Sequence, residues 1–265
     1  MMKMKIMYAV VAALVALIIS GIILIAVMLF GRSDKAPTDT QKGEETYKDP
    51  LTERYKEYIE SDNDSVYLML ASRRAPIGGF VPSDIISTRE ITDYKLGVDA
   101  YKIERRTAMA LTAMLLEAEA DGIENIRITS AYRTYDYQLT LFNEYCLREM
   151  KRDPSLSREE AEEIVKKYSN PPGCSEHQTG LCVDLFVEGD TATRLEESFA
   201  YTDAGKWLAS NCHRFGFVLR YPKDKYEITD IEYEPWHFRY VGRAHAEKMK
   251  ALGMCLEEDL EYLEK

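Results

Sequence analysis

Two short segments of the chain hold residue types that bind divalent metals. The first reads SEHQTGLCVD and places His177 and Asp184 seven positions apart. The second reads EYEPWHF and places Glu234 three positions before His237. Catalytic zinc typically takes three protein ligands and leaves a fourth position open for water. Two imidazoles, one carboxylate ligand and one further carboxylate therefore predict a hydrolytic metal site.

The surroundings strengthen this interpretation, because a histidine and an aspartate at this spacing also occur together by chance. The chain contains only four histidines, so few are available for an accidental cluster. Gly180 allows the backbone to pass close to a neighbour between the two ligands. The pattern from Gly180 to Phe186 is typical of a buried strand and would carry Asp184 inward.

Three motifs in this chain resemble those of the zinc D-alanyl-D-alanine carboxypeptidases of the VanY type, in the LAS group of peptidase family M15. The motifs are SxYRTxxxQ from Ser130, SxHxxGxxxD from Ser175 and EPWH from Glu234, and they occur in the order typical of that family. The resemblance extends over roughly Val66 to Leu263. One departure is Cys182, where the family more often has a small apolar residue, and it places a thiol near the expected metal.

The resemblance implies a fold, a cofactor and a reaction. Zn²⁺ would be held by His177, Asp184 and His237, and its bound water would attack the peptide bond. Glu234 would act as the general base and then donate a proton to the leaving amine. The substrate class implied is the peptidoglycan stem peptide ending in D-Ala-D-Ala.

Three further residues are expected to bind the substrate. Arg133 follows an apolar strand, and a guanidinium can grip the terminal carboxylate through two parallel hydrogen bonds, which lysine cannot copy. The resemblance also implies substrate contacts for Gln138 and Ser175. Alternatives are an L,D-carboxypeptidase or a D,D-dipeptidase on the same scaffold. A non-catalytic zinc module that binds the cell wall is disfavoured, because both Glu234 and Arg133 are present.

The N-terminal region predicts attachment to a membrane. Ile6 to Gly31 is almost wholly apolar and uncharged, which is long enough to cross a bilayer as a helix. It lacks an A-x-A cleavage pattern, so we expect residues 1–31 to form an uncleaved single-pass signal anchor with the catalytic domain outside the cell. Residues 32–50 predict a polar linker, and 51–265 a single zinc D,D-carboxypeptidase domain.

Charge and cysteine content limit the partners and the covalent cross-links. The net charge of −11 argues against a nucleic-acid partner, and we expect a monomer. The five cysteines are too irregularly spaced for a zinc ribbon, and the odd count leaves at least one free thiol. One or two disulfides, or simply small buried side chains, are both compatible with this spacing.

Helices and short strands alternate without a regular βαβ rhythm, which predicts an α+β fold with a small, mainly antiparallel sheet flanked by helices, of the Hedgehog/DD-peptidase-like type. Strands are predicted at Val66–Leu70, Ile126–Ser130 and Phe215–Pro222. Helices are predicted at Leu51–Glu60, Tyr101–Ala120, Tyr135–Met150, from the Ser157 capping box to about Tyr168, at Asp203–Cys212, and as two short helices over Arg243–Leu263.

Overall fold

The computed structural model describes residues 50–59 and 65–264, and the strands within them form two antiparallel sheets. The smaller sheet pairs β1 (Ile85–Ser87) with β2 (Lys102–Glu104). The larger sheet contains β3 (Ile126–Ser130), β4 (Cys182–Val187), β5 (Phe217–Leu219) and β6 (His237–Tyr240), in the spatial order β3-β4-β6-β5. The predicted α+β fold with a small antiparallel sheet is confirmed.

Helices supply most of the remaining regular structure. Within the described residues they are α1 (Pro50–Arg54), α2 (Arg105–Ala120), α3 (Tyr135–Arg152), α4 (Arg158–Val165), α5 (Asp203–Asn211), α6 (Tyr226–Thr229), α7 (Arg243–Leu252) and α8 (Leu256–Leu263). The apolar face of α2 packs with the inner sides of β3, β4 and β6 in the main hydrophobic core. Helices α3 and α4 share a smaller core of their own.

The alternation of side chains along β4 separates the core from the site. Val183 and Leu185 are fully buried in the main core. Because successive side chains on a strand point to opposite faces, Asp184 lies on the other face of the sheet. The β4–β6 register pairs Asp184 directly with His237, so two predicted metal ligands stand side by side.

A β-bulge lies next to this pair. In the β3–β4 ladder Ile128 is opposite Leu185 and Ser130 is opposite Asp184, so Thr129 is an extra residue on β3. A bulge of this kind bends the strand and re-aims its side chains, and bulges are common beside active sites. The end of β3 is therefore irregular where the chain approaches the predicted ligands.

Gly180 closes the turn that carries His177. A 3₁₀ helix spans Glu176–Thr179, and Gly180 follows it with φ at 74°. A Cβ at this position would lie 2.7 Å from Ile85 Cδ1 and 3.2 Å from the backbone nitrogen of Glu104. The left-handed conformation and the close approach of the smaller sheet both require glycine.

Two predicted elements differ from the structure. The strand expected at Val66–Leu70 is wrong, since Ser65–Leu68 forms a 3₁₀ helix and the carbonyls of Tyr67 and Met69 accept hydrogen bonds from Arg239 Nη2 at 2.8 and 2.7 Å. Those carbonyls are satisfied by a buried side chain and not by a neighbouring strand.

The helix expected from Tyr101 begins only at Arg105, because Lys102–Glu104 pairs with β1. The Glu104 carboxylate then caps α2, accepting hydrogen bonds from the backbone nitrogens of Arg106 and Thr107 at 2.9 and 2.7 Å. The other predicted helices and strands are present, with shorter bounds at α1 and β5.

All five cysteines are free.

The predicted membrane anchor at 1–31 and the linker up to residue 49 lie outside the described residues. Among the described helices, none combines the length and apolar character that crossing a bilayer requires.

We expect Gly180→Ala to lower the melting temperature of the metal-free protein more than Gly122→Ala does. Gly122 also has a positive φ, at 82°, but no atom lies within 4 Å of a Cβ placed there. Both variants carry the cost of a left-handed alanine, about 1–2 kcal/mol. Only Gly180→Ala adds a steric clash, and each further kcal/mol lowers the melting temperature by about 2–4 °C. Calorimetry showing equal shifts would contradict this account of the turn.

Candidate active site

A cleft of about 380 Å³ opens beside the Asp184–His237 pair. Six of the seven residues predicted to form the site line it, namely Arg133, Ser175, His177, Asp184, Glu234 and His237. These residues come from three separate regions of the chain. The pairing of β3, β4 and β6 in the larger sheet and the turn before β4 bring them together. The seventh predicted residue, Gln138, lies behind the wall of the cleft.

The backbone of Ala131 sets the tautomer of His177. The His177 Nδ1 lies 2.7 Å from the Ala131 carbonyl oxygen. A carbonyl can only accept, so Nδ1 carries the proton and Nε2 keeps a free lone pair in the neutral ring. That Nε2 lies 3.3 Å from Asp184 Oδ2, at the side of the ring that faces the other predicted ligands. This is the arrangement expected of a metal-binding imidazole.

His237 presents its two ring nitrogens to different carboxylates. Nδ1 lies 2.9 Å from Asp184 Oδ1 and 3.6 Å from Glu234 Oε2. Nε2 lies 3.5 Å from Glu176 Oε2, and neither of these buried atoms has a hydrogen-bond partner among the residues that the structure describes. A cation at Nδ1 would leave the ring proton on Nε2, where it faces Glu176 Oε2. Metal binding would thus satisfy two buried polar atoms that are otherwise unpaired.

The donor atoms suit zinc. His177, Cys182 and His237 each place one potential ligand atom within 4.8 Å of the others, and so do Asp184, Glu234 and His237. The three predicted ligands are divided between these two overlapping groups, which share His237. Imidazole nitrogen and carboxylate oxygen are ordinary zinc ligands, and a thiol nearby adds a softer one. The residues therefore fit the metal that the motifs predict.

Glu176 was not singled out from the sequence, yet it belongs to the most deeply buried charged cluster at the site. Its Oε1 accepts hydrogen bonds from Arg220 Nε at 2.7 Å and Arg239 Nη1 at 2.8 Å, and all three side chains are fully buried. Burial alone would raise the pKa of Glu176, but the two guanidinium groups outweigh it and hold that pKa well below its usual range. Glu176 is therefore a carboxylate.

This cluster extends to distant parts of the chain. The terminal nitrogens of Arg220 donate to both oxygens of Glu257 in α8, at 2.9 and 2.7 Å. Arg239 reaches the carbonyls of the 65–70 segment. The sequence signal that could have revealed the cluster is an arginine in each of two apolar segments, Arg220 directly after β5 and Arg239 within β6, since such a residue needs a buried anion.

Glu234 lines the cleft, and its side chain is 12% exposed. Burial raises its pKa to about 8, and the neighbouring Asp184 charge also raises it, whereas His237 lowers it. A cation bound nearby would reduce this raised pKa of Glu234. A carboxyl group poised near neutral pH is suited to accept and return a proton.

Arg133 is held firmly beside the ligands. Its Nε and Nη2 donate to Ser130 Oγ at 3.0 and 2.7 Å, Nη1 donates to Gln138 Oε1 at 3.2 Å, and Nη2 donates to Asp184 Oδ2 at 3.3 Å. A guanidinium has five N–H groups, so these four contacts leave one N–H uncommitted. These contacts orient the guanidinium beside Asp184, and the bidentate grip predicted for Arg133 stays a prediction.

Gln138 is fully buried and does not line the cleft. Its amide nitrogen donates to the Asn170 carbonyl oxygen at 2.7 Å, while its oxygen accepts from Arg133. Its observed contacts thus position Arg133 and the segment before the His177 motif. Ser175 is nearly buried and does line the cleft.

Several other residues of the cleft wall are not among the predicted site residues. They comprise two cations and four aromatic side chains, namely Arg148, Arg194, Tyr145, Tyr168, Tyr221 and Trp236. The Tyr221 ring lies 4.9 Å from the His237 ring, between centroids. The cleft therefore combines aromatic and cationic walls with the group of potential metal ligands.

Comparison with known proteins agrees with this geometry. The VanY family, described as D-alanyl-D-alanine carboxypeptidase, matches residues 100–243. A D-alanyl-D-alanine carboxypeptidase of Enterococcus faecium is 33% identical over 201 residues, which is 74% of this chain and 58% of that relative. The chain therefore spans less than two thirds of this relative's length.

Two solved structures are also similar. A variant of the D,D-pentapeptidase VanY from a VanB-type vancomycin resistance cassette, solved with Zn(II), is 32% identical with a TM-score of 0.61, over 74% of this chain and 99% of that one. The LD-carboxypeptidase LdcB is 32% identical with a TM-score of 0.62, over 77% of this chain and 90% of that one. The family match covers more than half of the chain and includes every residue predicted for the site. This protein belongs to the VanY family of D-alanyl-D-alanine carboxypeptidases.

Proposed function

We propose that the protein is a zinc-dependent D-alanyl-D-alanine carboxypeptidase that releases the terminal D-alanine of peptidoglycan stem peptides. The observation that carries this proposal is the convergence of His177, Asp184, His237 and Glu234 on one cleft. His177 would bind the metal through Nε2 and His237 through Nδ1, because their other ring nitrogens face Ala131 and Glu176. Bound zinc supplies Lewis acidity to the scissile carbonyl and to the attacking water.

Glu234 is the proposed general base. Its carboxylate stands 3.6 Å from His237 Nδ1, close enough to take a proton from water in the cleft and return it to the leaving amine. Arg133 contributes a positive charge fixed beside Asp184, and the second N–H of its Nη1 has no partner among the described residues, which suits a negatively charged group of the substrate. Ser175 lines the same cleft, and Gln138 acts by holding Arg133 in place.

A second candidate is L,D-carboxypeptidase activity, which the similarity to LdcB favours. The ligand set does not discriminate between the two, because the shape of the pocket around the residue before the scissile bond decides stereochemistry. The D,D reaction is preferred because the family match and the enterococcal relative both carry that description.

The location of the enzyme is proposed from the sequence outside the described residues. Residues 1–31 form a single-pass anchor, residues 32–50 a linker, and the catalytic domain lies outside the cell. An extracytoplasmic domain would have access to the proposed substrate, since peptidoglycan lies outside the cell membrane. It gives the protein the membrane as a second partner.

The purified full-length protein should remove one D-alanine from a stem pentapeptide and leave the corresponding tetrapeptide intact. Activity should disappear with a chelator and return with zinc. Mass spectrometry of the products checks both points. Preferred cleavage of the tetrapeptide would establish the L,D reaction instead, and cleavage unaffected by chelation would exclude the metal mechanism.

Glu234→Gln serves as the control within the same assay. It should retain zinc and bind the pentapeptide but lose about 10²- to 10⁴-fold in kcat, because general acid–base catalysis typically contributes that much. Unimpaired turnover by this variant would require another base.

Glu176→Gln should weaken zinc binding by about 10- to 100-fold, as loss of the carboxylate behind a metal-binding histidine typically does. The reason is that an amide oxygen holds the N–H of His237 less strongly than a carboxylate. Competition with a chromogenic chelator measures this affinity without reference to activity.

Glu257→Gln is the matched control for Glu176→Gln. It removes the other anion that pairs with Arg220, but its carboxylate does not contact His237. It should lower thermal stability and leave zinc affinity within about twofold. Equal losses of zinc affinity in the two variants would show that Glu176 acts only through general stability.

Cell fractionation should recover the full-length protein in the membrane fraction, and externally added protease should digest its catalytic domain. Deletion of residues 1–31 should abolish membrane attachment, since the apolar run is the proposed anchor. A shortened protein in the culture medium of cells expressing the wild type would instead identify that run as a cleaved signal.

A further inference from the structure

Arg194 is fixed on the wall of the cleft by two contacts. Its Nε donates to Thr129 Oγ1 at 2.6 Å, and its guanidinium carbon lies 4.4 Å above the centre of the Phe186 ring. A hydrogen bond and a cation–π contact together define both the position and the plane of the guanidinium. Arg194 is therefore a rigid cation of the cleft and not a freely moving surface residue.

The end of the Arg194 side chain remains available. Both terminal nitrogens lack a partner in the part of the chain that the structure describes, and no carboxylate there forms an ion pair with them. Glu196, two positions further on, also lines the cleft but does not pair with Arg194. Arg133 differs sharply, since four of its five N–H groups are already engaged.

The β-bulge explains why two arginines stand in the same cleft. Thr129 and Ser130 together face the single residue Asp184 across the ladder. The Ser130 hydroxyl holds Arg133, and the Thr129 hydroxyl holds Arg194. Without the extra residue these two neighbouring side chains would point to opposite faces of the sheet.

The position of Arg194 can be placed relative to the ligands. Phe186 follows Asp184 by two residues on the same face of β4, a separation of about 7 Å along a strand. Arg133 touches Asp184 itself, whereas Arg194 lies over Phe186. A peptide with its scissile bond at the metal would therefore present a different group to each arginine.

The loop that carries Arg194 is held in an unusual conformation. Asp190 accepts hydrogen bonds from the backbone nitrogens of Ala192 and Thr193 and fixes the turn before it. Leu195 has φ at 58°, a left-handed conformation that is costly for any residue with a Cβ. It lines the cleft and is 42% exposed. Such strain persists where the surrounding structure enforces it, and often at ligand sites.

We propose that Arg194 binds a carboxylate of the peptide substrate through its two terminal nitrogens. This inference rests on the proposed peptidase function. The carboxylate is either that of the terminal D-alanine or one further back in the stem peptide, on the diamino acid or on the γ-linked glutamate. In each case a planar, immobilised guanidinium meets a carboxylate through two parallel hydrogen bonds.

The experiment compares the full-length wild type with Arg194→Met, which keeps an apolar side chain over Phe186 but has no charge. Four pentapeptides are used, namely the parent with diaminopimelate, its C-terminal amide, the form with lysine in place of diaminopimelate, and the form with the γ-linked glutamate amidated. We expect kcat/KM on the parent to fall about 10- to 100-fold in Arg194→Met. We expect that penalty to vanish on the one peptide that lacks the bound carboxylate, which identifies it.

Two variants separate a specific grip from other effects. Arg148→Met removes a cation of the same cleft whose guanidinium lies over Tyr145, and its effect should be small and equal on all four peptides. Thr129→Val keeps the charge but removes the Nε contact, so it should give an intermediate loss on the same peptides as Arg194→Met. An Arg194→Met loss below twofold, or one of equal size on all four peptides, overturns the proposal.

Binding of the parent peptide to zinc-loaded Glu234→Gln, with and without Arg194→Met, keeps this inference separate from the proposed function. Titration calorimetry measures the affinity for the peptide, and hence the contribution of the carboxylate contact, even when no peptide is cleaved. Loss of binding in the double variant together with an inactive wild type would retain the Arg194 site and refute the peptidase. Cleavage by the wild type together with unchanged peptide binding in the double variant would support the peptidase and refute the Arg194 site.

Discussion

The fully buried contact of Glu176 with Arg220 and Arg239 is the interaction on which the site depends. A charge taken out of water costs several kcal/mol unless close, well-oriented partners compensate for it. Here one carboxylate oxygen accepts from two guanidinium groups, so movement of any of the three side chains breaks at least one buried, charged hydrogen bond. The second oxygen of Glu176 is thereby held 3.5 Å from His237 Nε2.

The same cluster explains why residues far apart in the chain contribute to one small centre. Arg220 extends to Glu257 in α8, and Arg239 extends to the carbonyls of Tyr67 and Met69. The beginning and the end of the catalytic domain are thus joined through the face of the sheet that carries Asp184 and His237. The site is rigid because its support is distributed over the whole domain.

On the opposite side of the ligands the cleft is organised by hydroxyl groups. The bulge at Thr129 allows two consecutive side chains of β3 to hold two arginines. Arg133 has four of its five N–H groups engaged, whereas the terminal nitrogens of Arg194 have no partner among the described residues. Burial around Glu234 raises its pKa to about 8, whereas the histidines and Arg133 surround the Asp184 carboxylate. One cleft thus holds two carboxyl groups in different electrostatic environments, which raise the pKa of Glu234 and lower that of Asp184. Such a difference allows two carboxyl groups to take different roles in one site.

The sequence alone predicted which residues gather at the cleft, because the motifs that hold them are local. It also predicted α2, α3 and β3, through apolar periodicity and end signals such as Gly122. It could not locate β2, since Lys102–Glu104 is a strand only because Ile85–Ser87 lies beside it. Nor could it find Glu176, the uncommitted end of Arg194 or the burial of Gln138. Those depend on pairings more than thirty residues apart in sequence, in which desolvation and hydrogen-bond geometry, and not local preference, decide which groups meet.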